Sequence, residues 1–134
     1  MRSIYTIVDE INREILDQSI TDYKETEVND FISSAMNEAE DVINEYVTKE
    51  ALESISSTME SMMAFHNRIL MGYDEYVQFC ASFETSGPNA KAINVMGKTY
   101  EVMRDIFQVQ RTAMETIREM VIGKIKNLSG KVHS

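Results

Sequence analysis

The sequence predicts an all-α protein, an elongated helical bundle built on one long antiparallel coiled-coil-like hairpin, and three observations carry that reading. One proline and five glycines in 134 residues leave few places where a helix must break. Leu52, Ile55, Met59, Met62, His66, Ile69, Tyr73, Tyr76, Cys80 and Phe83 then follow an unbroken alternation of three and four residues, and Ile93, Met96, Tyr100, Met103, Phe107, Gln110, Met114, Ile117, Val121, Lys124 and Leu128 repeat it. Such a seam marks coiled-coil-type packing. Finally, the two arms fit each other. Turning the chain at Thr85-Ser86-Gly87-Pro88 sets Cys80 against Ile93 and Leu52 against Val121, and every layer between them pairs without a slip.

The elements follow in order. Ser3 is a cap for a first helix over 3–18, whose Ile4, Val8, Ile11 and Ile15 form a single stripe. Ser19 to Thr26 interrupts the period, and a bend is placed there. A second helix over 27–47 carries Val28, Ile32, Ala35, Ala39, Val42 and Tyr46 and loses phase at Thr48, which with Lys49, Glu50 and Ala51 reads as the start of a third helix over 49–83, a kinked continuation into the first arm being the alternative. Gly87 gives the turn conformational freedom, Pro88 suits a first helical turn, and a fourth helix runs over 88–128 before a flexible tail at 129–134. At ~1.5 Å per residue the arms are roughly 50 Å long, within a single domain spanning the chain.

The second helix, reversing at Thr48, is expected beside the third, with Ala39 meeting Met59 and Ala35 opposite Met62 or Met63. It then reaches only to about Ile69 or Leu70, so the turn end of the hairpin stays uncovered unless the first helix folds over it as a lid.

Composition narrows the function. The start lacks the apolar core of a signal peptide and no apolar run approaches the ~20 residues that span a bilayer, which reads as a cytoplasmic chain with no membrane partner. The lone Cys80 sits on the seam, where a structural thiol is expected. Net charge is -9, concentrated in the first sixty residues, which hold fifteen acids and four bases. Arg104, Arg111 and Arg118 at seven-residue spacing give the acidic helices something to pack near. Direct nucleic-acid binding is disfavoured by that charge and by the acids interleaved with the arginines.

No catalytic arrangement emerges. Met63 and Gly130 stand where Glu-x-x-His pairs would need glutamate before His66 and His133, and no Cys-x-x-Cys, His-Glu-x-x-His, phosphate loop or Gly-x-Ser-x-Gly occurs. His66 is expected instead to hydrogen-bond Gln110 in a polar layer of the seam. The reading carries no catalytic residue, no cofactor and no metal.

What remains is apolar surface. Tyr73, Tyr76, Phe79 and Phe83 cluster near the turn with the adaptable Met71 and Met96 beside them, and Val95, Val102, Ile106 and Val109 form a row on the fourth helix beyond its seam. These ten residues are the expected partner-binding set of a non-enzymatic protein-interaction module that self-associates, of adaptor, chaperone or inhibitor type. An acidic inhibitor that mimics nucleic acid in a basic groove is the alternative. In outline the chain is similar to small acidic helical secretion chaperones, hairpin secretion substrates and phage-encoded inhibitors. It lacks the Trp-x-Gly turn of one such hairpin family, having Phe83-Glu84-Thr85-Ser86-Gly87 in its place.

Overall fold

The computed structural model describes residues 2–21, 25–83 and 87–132, which form four helices: α1 (Ile4–Thr21), α2 (Glu25–Glu45), α3 (Lys49–Ala81) and α4 (Ala90–Val132). Ser3 caps α1 by accepting the Thr6 amide at 3.1 Å on its hydroxyl. The helix outlasts the expected end at residue 18, and of the bend placed at 19–26, residues 22–24 lie outside the described residues. Tyr46 to Thr48 separate α2 from α3, and Thr48 takes the extended conformation of an N-cap with no side-chain capping bond. Gly87 adopts a φ of 114°, which a Cβ would oppose. Pro88 belongs to the turn itself, because α4 starts two residues later. Thr85 and Ser86 lie outside the described residues.

α4 does not stop at residue 128. It continues through Val132, so residues 129–132 are helix rather than the expected flexible tail. Ile125 and Leu128, just before these residues, rest against the core.

α3 and α4 form the long hairpin, in the register the seam demands, with His66 against Phe107 (ring centroids 5.3 Å apart) and Tyr73 against Tyr100 (6.3 Å). Ion pairs add to it across the same interface, from Arg104 to Asp74 at 3.1 Å and from Arg118 to Glu60 at 3.4 Å. Two of the three spaced arginines therefore reach across to α3, and Arg111 pairs with Glu115 of its own helix at 3.4 Å.

α1 and α2 make a second, shorter hairpin that packs on α4. α2 does not run alongside α3, where it was expected to set Ala35 and Ala39 against methionines. Both alanines are buried in the core, and the helices that pack on α2 are α1 and α4. The physical reason is the width of the apolar surface on α4, whose Ile106, Val109 and Ala113 extend beyond the seam and need more cover than α3 supplies.

The consequence is a lopsided core. Ile4, Ile7, Val8, Ile11 and Ile15 of α1, Val42 and Ile43 of α2, Leu52, Ile55 and Met59 of α3, and Met114, Ile117 and Val121 of α4 are all buried at one end. Beyond Met59 on α3 and before Ile106 on α4, Cys80 is the one buried side chain among the described residues. The accessible surface of 8670 Å² exceeds the roughly 7,200 Å² of a compact monomer of this mass, as an extended arm requires. In that arm α4 comes close to α3 at Gly97, where a Cβ would stand 3.2 Å from the Cβ of Cys80.

Arg2, just before α1, ties α1 to α2. Its guanidinium donates to both carboxylate oxygens of Glu38 on α2, at 2.7 Å to Oε1, and pairs with Glu10 on α1. The hydrogen bonds from Arg2 hold the Glu38 carboxyl below its ordinary value of 4.5. Because the folded-state value is the lower one, the stabilisation exists above about pH 4.5 and is lost as pH falls through the lowered value. Arg2→Ala should therefore melt below the parent at neutral pH. The gap should close at acid pH and shrink at high salt, since the groups are exposed; thermal melts at two pH values and two salt concentrations check this.

Candidate protein-binding surface

The two long arms outrun the short hairpin, and that leaves the turn end of α3–α4 bare. Asn12 lies over Gln110 and Met114, so nine further residues take α1 only about 13 Å along the arm before it ends at Thr21. Of the two places open to the first helix, lid or fixed core, α1 takes the second: it packs at the other end, where its isoleucine stripe finds a wider apolar floor on α4.

Seven of the ten expected partner-binding residues are exposed together on this bare arm. Tyr76 (54%), Phe79 (60%), Val95 (57%) and Val102 (52%) each keep more than half their surface, and Met71, Phe83 and Met96 are exposed too. Tyr73 is half-buried, stacked on Phe107 at 5.6 Å. Ile106 is buried at 4% and Val109 is half-buried against the core, so these two serve the base of the protein and are not free surface.

Geometry makes the exposed set a surface rather than a scatter. Tyr76 stacks on Tyr100 at 4.9 Å and Phe79 meets Phe83 edge-on at 4.7 Å, so the rings brace one another while one side of each faces solvent. Phe79 flanks the α3 seam at the heptad position that meets, across an antiparallel pair, the side of α4 carrying Thr99, Ile106 and Ala113. Phe65 shares that position two heptads earlier and is exposed at 60%, beside an open groove lined by Thr58, Ser61, Met62 and His66. It was not among the expected residues. Its spacing of fourteen from Phe79 was the signal that could have found it.

At the inner limit of this arm stands a polar node joining three helices. Gln110, only 5% exposed, donates its amide hydrogen to the Asn12 carbonyl oxygen at 2.8 Å, which aims its own oxygen at His66. The His66 Nε2 lies 3.0 Å from that oxygen and must donate, so the ring carries its proton on Nε2. The polar layer expected in the seam is present, and α1 joins it through a backbone acceptor. The acidic residues of α1 and α2 include several in ion pairs. Asp9 is paired with Arg13, and Glu10 and Glu38 with Arg2.

Among the described residues no cluster of histidine, cysteine and carboxylates is gathered for a metal ion, and no helix is long and apolar enough to cross a membrane. No protein-family model, curated protein or solved structure matches the chain.

Two predictions test the division between base and arm. Ile117→Ala, at a fully buried site, should cost about 2 to 5 kcal/mol in urea unfolding, whereas Val95→Ala on the same helix should stay within about 0.5 kcal/mol. A double-mutant cycle of His66→Ala and Gln110→Ala should show a coupling of about 0.5 to 1.5 kcal/mol, and additivity would mean the node contributes nothing.

Proposed function

We propose that the chain is a non-enzymatic protein–protein interaction module, in which the α1–α2 half of the molecule is a fixed base and the far end of the α3–α4 hairpin is the binding arm. The observation that carries this reading is the concentration of Tyr76, Phe79, Phe83, Val95, Met96 and Val102, all exposed, on an arm that the rest of the chain leaves uncovered. Large aromatic side chains that keep their apolar area in water, with flexible methionines at hand, have the composition of interface anchors. Contiguous apolar surface of this kind is uncommon on a monomer without a partner. Self-association and capture of another protein both follow from such an arm, as an adaptor, chaperone or inhibitor would need.

A photo-crosslinking amino acid at position 79, compared with one at position 40 on the acidic outer face of α2, separates this reading from the acidic mimic. Irradiation in the native host should give adducts of defined mass from position 79 and none from position 40. Adducts from position 40 alone would transfer the function to the acidic face.

A further inference from the structure

The bare arm has a shape that a second copy of the same chain completes. Along α4 one row of residues runs through Val95, Thr99, Val102, Ile106, Val109 and Ala113, spaced by fours and threes. Its latter half is covered by α1 and α2, and its first half is open. At the base the hairpin and two further helices make a four-helix section. At the far end the hairpin stands alone, with the same apolar row continuing along it.

We infer that the first partner of this arm is the arm of a second copy, docked antiparallel about a twofold axis so that the two hairpin ends close into a four-helix bundle and the bases lie at opposite ends. Resting on the arm as the binding surface, this names its occupant. Residues 64–105 carry four bases and five acids, so two such arms meet with almost no net charge and with both signs available at the rim. The first sixty residues, with fifteen acids and four bases, oppose each other if the bases are brought side by side. Sterics agree. α1 and α2 already occupy the Ile106 and Ala113 end of the row, so two copies stacked in parallel would press base into base. Only the antiparallel arrangement lets each tip run up to the partner's base.

The open side chains leave on the order of 600 Å² of apolar surface per copy, below the ~800 Å² per partner of a standard interface, which places the dimer in the weak, concentration-dependent class. An isologous twofold contact uses the same patch on both copies, so it closes on itself and does not propagate into filaments.

Sedimentation equilibrium of the full chain from about 1 to about 500 μM should show a monomer–dimer equilibrium, and Phe79→Glu and Val102→Glu should each weaken it at least about tenfold, while far-UV circular dichroism stays that of the parent. Orientation is read with single cysteines in a Cys80→Ala background. Val95 lies near the middle of the open stretch, so Val95→Cys should oxidise to a disulfide-linked dimer, whereas Val102 residues stand about 20 Å apart and Val102→Cys should not. Equal cross-linking at both positions would overturn the antiparallel geometry. A monomer at every concentration would overturn the second copy as occupant, and if position 79 still gave an adduct with another protein in the host, the arm would stand as a binding surface without it. No adduct from position 79 would sink both.

Discussion

The structure depends on a mismatch of length. α3 and α4, of 33 and 43 residues, are roughly 50 and 65 Å long, while α1 and α2, of 18 and 21, are about half that. Short helices bury their apolar stripes wherever the floor is widest, and on α4 that is the region from Ile106 to Val121, where apolar residues stand beside the seam as well as on it. Once they settle there, no helix among the described residues remains to cover the other half of the hairpin. The exposed aromatics follow from arithmetic on helix lengths, before any question of function is asked.

An uncovered two-helix arm needs reasons to stay together, because a coiled coil of two short strands buries less apolar area per residue than a four-helix section. Here the reasons are local. Tyr73, Tyr76, Tyr100 and Phe107 form a continuous run of ring contacts across the seam. Arg104 binds Asp74, and Gly97 lets the backbone of α4 come close to Cys80. The Asn12, Gln110 and His66 node sits at the boundary, where slipping the hairpin by a layer would strand a buried amide and an imidazole without partners. Its net contribution to stability is small, yet it fixes register, and register decides which face of the arm carries Phe79.

Much of this was legible in the sequence because axial position is encoded by period. The alternation of threes and fours set the hairpin register, the loss of phase at Thr48 marked the break before α3, and the pairing of layers put His66 beside Gln110. Lateral position is another matter. Every amphipathic helix in the chain shows the same period, so nothing in the spacing of α2 says whether it lies on α3 or α4, and nothing in that of α1 says which end it covers. Those choices are settled by competition among apolar rows, a global quantity. The Asn12 carbonyl was equally invisible, since a backbone acceptor has no side-chain signature. The last turns of α4 were missed for a related reason: Gly130 argues for a stop, and contacts of Ile125 and Leu128 with the core outweigh it.

The same division governs dynamics. Opening free energy in a folded chain rises with the apolar contact that opening would destroy, so the base, which holds all but one of the buried apolar side chains among the described residues, is the most resistant part and the arm the least. The binding role we propose for the arm suits that end. Binding there costs little rearrangement of the core, and it adds stability to the section that has least, by mass action. Fastening α1 and α2 to the base through the isoleucine core and the Arg2 ion pairs therefore keeps the arm open, because helices held there cannot slide along α4 to occupy it themselves.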